Sequence, residues 1–156
     1  MRASVKRLTS RPKRAVRAPH LDLGERGERE ALQFLKRQYG YRIAVTNFRV
    51  ALGRGLGGKK ITGEIDIIAY DGETLVFVEV KTRTSDEVAA PQSAVGLRKQ
   101  RQIVRAGRRY REMMRIVDEP YRYDVVTLVR KGVDFNIELL KGYFDDGIFQ
   151  RARFFV

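Results

Sequence analysis

Apolar positions along the chain change period several times, and each change marks an element. Ala31, Leu32, Leu35 and Tyr39 recur at the three-to-four-residue spacing of one helix face. Asp22 and Glu25 stand three residues apart ahead of that stripe in the manner of a capping box, and Gly40 follows its end. A helix is therefore predicted over 21–39. One charged residue, Glu28, falls inside the stripe. A carboxylate on a core-facing line is costly unless it is paired, protonated or bound to a cation. In an exposed first turn the same residue would only be answering the helix dipole.

After Gly40 the pattern becomes strand-like. YRIAVTNFRV at 41–50 reads as a strand. ALGRGLGGKKITG at 51–63 carries five glycines and three basic residues and reads as a hairpin-type loop. Gly53, Gly55 and Gly58 fit the letters of the dinucleotide-binding G-x-G-x-x-G. The segment leads into a strand rather than a helix, which excludes that use. EIDIIAY at 64–70 and TLVFVEVKT at 74–82 read as strands joined at Asp71-Gly72, a hairpin signal. Period two puts Glu64, Asp66 and Ile68 on one face of the first strand. It puts Leu75, Phe77, Glu79 and Lys81 on one face of the second, with Val76, Val78 and Val80 on the other. Apolar residues on both faces imply a central strand covered on both sides.

A second helix is predicted from about Ser93 to Arg115, with Val95, Ile103, Ala106, Tyr110 and Met113 as its apolar stripe. YRYDVVTLV and FNIELLK follow as two further strands, and Asp124 in the first of them is expected to be structural, paired with a nearby arginine. The aromatic-rich end, GYFDDGIFQRARFFV, is expected to pack onto the sheet. The expected architecture is an α/β domain over 21–156: a mixed, roughly five-stranded sheet with a central β-hairpin and helices on both faces. A disordered basic arm over 1–20 precedes it.

Composition narrows the chemistry. The chain has 156 residues, 43% of them hydrophobic, which suits one domain with an ordinary core. It has no cysteine, which excludes disulfides, thiolate zinc sites and a Cys nucleophile. Its one histidine, His20, leaves no basis for a His triad. No apolar run approaches the roughly 18 to 20 residues of a membrane span, and the N-terminus has no secretory apolar region. A cytoplasmic location with no membrane partner is expected.

The net charge of +13 favours a polyanionic partner such as nucleic acid. The arm contributes Arg2, Lys6, Arg7, Arg11, Lys13, Arg14 and Arg17 with no acid. On the second helix Arg101, Arg105, Arg108, Arg111 and Arg115 face away from the apolar stripe, with Arg98 and Arg109 flanking, an arrangement suited to phosphate contacts that do not read sequence. Lys99 instead falls on the stripe. Arg54, Lys59 and Lys60 in the Gly-rich segment, and Arg83 after the hairpin, are further candidate phosphate contacts. A merely solvated basic surface is the alternative for all of these.

Asp66, Glu79 and Lys81 interrupt otherwise apolar strands. Two carboxylates and a backbone carbonyl make a hard oxygen site suited to Mg²⁺ or Mn²⁺, and a neighbouring lysine can offset charge developing on a phosphate. The competing reading is a cross-strand ion pair near the end of the sheet.

Asp66 followed thirteen residues later by Glu79-Val80-Lys81 resembles the core of the PD-(D/E)XK nucleases, a restriction-endonuclease-like fold. More closely, the chain resembles the YraN-like family of small bacterial proteins, related in fold to archaeal Holliday junction resolvases. The matching text is GEREA at 27–31, GYRI at 40–43, NFR at 47–49, GEIDIIA at 63–69, VFVEVKTR at 76–83, KQR at 99–101 and RYDVV at 122–126. Ile65 stands where the superfamily's nominal motif has proline. The resemblance implies that Asp66, Glu79 and the Val80 carbonyl hold Mg²⁺ or Mn²⁺, that Lys81 is the catalytic lysine, and that Glu28 completes the site from the helix, often through water. It places Lys99 near the site, in reach of the scissile phosphate. It further implies hydrolysis of DNA, structured or branched, in preference to RNA, and a homodimer as a working form. A nucleic-acid-binding protein with little or no catalysis, and a nuclease acting on RNA, are the alternatives.

Overall fold

The computed structural model describes residues 19–85 and 94–151. Its elements are α1 (Pro19–Tyr39), β1 (Arg42–Arg54), a 3₁₀ turn at Leu56–Gly58, β2 (Lys60–Asp71), β3 (Thr74–Arg83), α2 (Leu97–Met114), β4 (Tyr121–Lys131), β5 (Asp134–Phe144) and α3 (Ile148–Arg151). The strands lie side by side in chain order. The pairs β1–β2, β2–β3 and β4–β5 are antiparallel, and β3–β4 is parallel. A parallel pair needs a crossover, and the stretch containing α2 supplies it. The chain is thus an α/β protein with an open, mixed five-stranded sheet and the β2–β3 hairpin at its centre.

The sheet carries a core on each face. Ile65, Ile68, Phe77 and Tyr123 meet Ile103, Val104 and Tyr110 of α2 on one side. Ile67, Val76, Val78 and Val126 meet Ala31 and Leu35 of α1 on the other. Valine and isoleucine crowd β2 and β3 because both faces of these strands are covered.

Several sequence expectations shift at their edges. α1 begins at Pro19, whose fixed φ suits a first helical turn. Asp22 therefore lies within the first turn and is not a cap. Tyr39 is 42% exposed rather than part of the core; its ring rests edge-on against Phe34 and Tyr41. Much of the Gly-rich segment is strand. β1 runs on to Arg54 and pairs with Lys60. The ladder's hydrogen bonds outweigh the glycines' conformational freedom, leaving a five-residue tip. α2 begins at Leu97, so Val95 enters the core from the preceding segment, and Met113 is 61% exposed. Val104 and Gly107 take inward positions that the predicted stripe omitted. Arg101 and Arg111 are half-buried, the latter with its guanidinium 3.7 Å over the Tyr121 ring. Only Pro19 and His20 of the expected basic arm are described, and both are helical. Residues 86–93, which hold most of the loop after β3 and the expected start of the second helix, lie outside the described residues, as do residues 152–156.

Asp124 is completely buried and fully satisfied. Arg122 Nε, the Tyr41 hydroxyl and the Gly142 N–H each donate to its carboxylate at 2.9 Å. Arg122 also pairs with Asp71 at 2.6 Å. This network ties the chain just after α1 to β4 and to the β2–β3 turn, as the structural reading of Asp124 required. No helix among the described residues is long and apolar enough to cross a membrane.

Candidate functional site

The site grows from a fault in the sheet. The β2–β3 ladder ends at the pair Ile67–Val78. Asp66 is the next residue of β2, and its Oδ2 accepts a hydrogen bond from the Val80 N–H at 2.7 Å. A carboxylate thus replaces the strand carbonyl that would have continued the ladder. Alternation breaks at the same point: Ile65 packs with Ile68 on the α2 side, whereas Ile67 packs with Ala69 on the α1 side. Glu64, Asp66 and Ile68 therefore do not line one uninterrupted face, as strict alternation had suggested. The cause lies across the ladder. The pairs Thr46–Ile67 and Phe48–Ile65 bracket Asn47 and Asp66, and Asn47 has a left-handed backbone, φ 52°. Asparagine tolerates that region better than most residues.

Glu79 follows on β3 and is 8% exposed. Its carboxyl neighbours that of Asp66 closely enough for each to act on the other's ionisation. Burial, and then the adjacent charge of Asp66, pushes Glu79 up to about 8. Burial also raises Asp66, against the Val80 N–H that favours its ionised form. Two enclosed neighbouring carboxyls resist ionising together, which favours the neutral form of Glu79. Lys99 Nζ lies 3.4 Å from Glu79 Oε2. This is an ion pair without a hydrogen bond, and that buried oxygen has no hydrogen-bond partner among the described residues.

α1 brings the third carboxyl. Glu28 and Asp66 line one pocket of about 280 Å³, with Glu25, Arg29, Thr46 and Asn47 also on its wall. Burial raises the Glu28 carboxyl, and the charges of Asp66, Glu64 and Glu25 raise it further while Arg49 opposes them. Arg49 is held by Glu64 at 2.9 Å. α1 reaches this position because residue 27 is glycine: a Cβ there would lie 1.9 Å from Thr82 Oγ1.

The donor set bears on whether a cation fits. Asp66, Glu79 and the Val80 carbonyl are hard oxygen donors, and Glu79 Oε2 is enclosed yet accepts no hydrogen bond from the described residues. Among the described residues no three Asp, Glu, His or Cys side chains converge on one point close enough to ligate a single ion. The set therefore suits an ion that keeps several waters, as Mg²⁺ does, with Glu28 standing beyond direct reach.

The other sequence candidates separate into two groups. Lys81 is exposed, two residues beyond Glu79 on the same side of β3, and Lys99 sits against Glu79. Arg54, Lys59 and Lys60 instead surround the tip of the β1–β2 hairpin. Arg105 and Arg108 are exposed on α2, and Arg101 is half-buried there; Arg83, half-buried, closes β3. Sequence reasoning missed Asn47 and Gly27 as shapers of the site. Asn47 carried a signal, the one side-chain amide in β1. The closeness of Gly27 to Thr82 left none.

A family model described as "Uncharacterised protein family UPF0102" matches residues 27–128. That stretch holds Glu28, Asp66, Glu79, Lys81 and Lys99 together. A UPF0102 protein of Syntrophus aciditrophicus (strain SB) is 40% identical over 126 residues, covering 81% of this chain and 91% of that protein. One of Geobacter metallireducens is 42% identical over 123 residues, covering 79% and 92%. A solved structure described as "Crystal structure of SSO0001" aligns with TM-score 0.42 and 18% identity over 87% of this chain, which spans 59% of the length of that one.

Proposed function

The chain belongs to the UPF0102 family, and from that premise and the geometry of its carboxylate pair we propose that it is a divalent-metal-dependent nuclease hydrolysing phosphodiester bonds in DNA. The observation that carries this reading is a pair of buried neighbouring carboxyls, Asp66 and Glu79, at the point where β2 leaves β3, with Lys99 3.4 Å from Glu79 Oε2. Burying two carboxyls together, against a chain charge of +13, is costly for a structural ion pair and useful for gathering a cation beside a phosphate. Asp66, Glu79 and the Val80 carbonyl would hold Mg²⁺ or Mn²⁺, which when bound polarises a phosphate and acidifies water.

The chain's own groups do the rest. The Val80 N–H keeps Asp66 aimed. Glu79, raised by burial, would give up its proton to solvent when a cation is bound. Lys81 meets the negative charge that builds on the phosphate oxygens during attack, and Lys99 offsets the charge of Glu79. Glu28 accepts a hydrogen bond from water on the pocket side. Arg98, Arg105 and Arg108 on exposed α2 contact backbone phosphates without reading sequence. The similarity of the GEID and VFVEVKTR segments to resolvase-like nucleases favours DNA, and structured or branched DNA in particular.

A cleavage panel tests the reading: single-stranded, duplex, flap, four-way-junction and RNA substrates with Mg²⁺ and with Mn²⁺. Metal-dependent nicks in a branched DNA are expected. Tight binding across the panel with no cut in any substrate would replace the nuclease with a binding protein.

A further inference from the structure

We propose that the tip of the β1–β2 hairpin is a wedge that inserts Leu56 into the base stack of duplex DNA from the minor groove. The inference rests on the DNA-directed reading above and gives the substrate a shape, a duplex opened or bent at one step. Leu56 is 103% exposed, more than any other large apolar side chain among the described residues. It stands between Arg54 on one side and Lys59 and Lys60 on the other, and no acid occurs from Arg49 to Gly63. Val117 and Val133 are also well exposed, but Asp118 and Glu119 follow the first and Asp134 the second, so neither sits in a purely cationic setting. An apolar wedge flanked by basic residues is how proteins unstack and kink DNA from the minor groove.

The tip is stiff. The Gly55 N–H donates to the Lys59 carbonyl at 2.8 Å and the Gly58 N–H to the Gly55 carbonyl at 3.1 Å. Arg54 donates to the Gly58 carbonyl at 3.1 Å. Gly57 and Gly58 have φ of 74° and 76°, which holds the turn in a form that presents Leu56 outward. The arm is also fastened to α2. Arg105 donates to the Leu52 carbonyl at 3.1 Å and Gln102 to the Thr62 carbonyl at 3.3 Å. The wedge therefore has a fixed position relative to the carboxylates. Six residue steps of β2 lead from Lys60, at the base of the tip, to Asp66, about 20 Å at the rise of a β-strand, so the tip acts on the duplex away from the carboxylates.

The test uses the full chain in EDTA, which prevents cleavage, with duplexes carrying 2-aminopurine at successive positions. Binding is followed by anisotropy. The wild type should raise 2-aminopurine emission several-fold. Leu56→Ala should abolish the rise, while Leu56→Met retains it and neither changes the salt dependence of binding. Equal emission from wild type and Leu56→Ala, or DNA bound with no rise at any position, overturns the wedge and leaves the nuclease reading intact. No binding to any DNA removes both.

Discussion

Gly27 and Thr82 touch backbone to side chain, and that contact sets how close α1 comes to the carboxylates. A methyl group on residue 27 would lie 1.9 Å from Thr82 Oγ1 and 3.0 Å from its Cβ. Glu28 and Lys81 are the next residues along each chain segment, so the contact fixes the helix-borne carboxyl relative to β3.

Gly27→Ala should therefore destabilise the fold by about 1–3 kcal/mol through overpacking and should lower turnover even among folded molecules. Gly24→Ala is the control, because nothing lies within 4 Å of a Cβ there. It should be neutral or stabilising by up to about 1 kcal/mol, as expected for removing a glycine from a helix. Urea denaturation of both variants, beside their cleavage rates, separates the two effects.

The raised Glu79 carboxyl makes the protein pH-sensitive in a defined direction. Its neutral form is favoured by the fold, so its contribution is complete below the ordinary value of 4.5 and is lost as pH rises through about 8. Glu79→Gln should match the wild type at pH 5 and exceed it at pH 8.5 by roughly 1–3 kcal/mol in metal-free buffer. Divalent-ion affinity of the wild type should rise over the same interval with release of protons. Thermal melts and calorimetry in buffers of different ionisation enthalpy measure both.

Asp124 governs folding and not chemistry. Asp124→Ala leaves Arg122 and the Tyr41 hydroxyl without their buried acceptor and should cost about 3–5 kcal/mol. Cleavage per folded molecule should stay near the wild-type level.

The basic surface should act through phosphates alone. Changing Arg98 and Arg108 to glutamate should weaken binding to every DNA shape alike and flatten the dependence of log K on log salt. Arg101 and Arg105 are left out because the guanidinium of the first is half-buried and that of the second holds the Leu52 carbonyl. An unchanged slope, measured by anisotropy between 50 and 200 mM salt, would leave these arginines as merely solvated.

The fold was legible where periodicity and burial coincide. β2 and β3 show their doubly covered faces as continuous valine and isoleucine, and α1 shows Ala31 and Leu35 at helical spacing. The candidate site was legible as charge out of place: Asp66, Glu79 and Glu28 each interrupt an apolar pattern. Strict alternation could not reveal the fault at Asn47 and Asp66, since it depends on a left-handed residue in the partner strand. The extent of the β1–β2 hairpin was hidden for a related reason. Glycine weakens a strand locally, and only pairing across the hairpin and anchoring to α2 restores it.

In the proposed mechanism Asp66 and Glu79 gather a cation for phosphodiester hydrolysis. The most direct measurement compares wild type with Asp66→Asn in single-turnover cleavage of a branched DNA with Mg²⁺, both proteins verified as folded and DNA-bound. Asp66→Asn should lose at least about 100-fold in rate, as expected when a group needed to organise the reacting phosphate is removed, with DNA affinity unchanged or higher. Equal rates for the two proteins would contradict the mechanism.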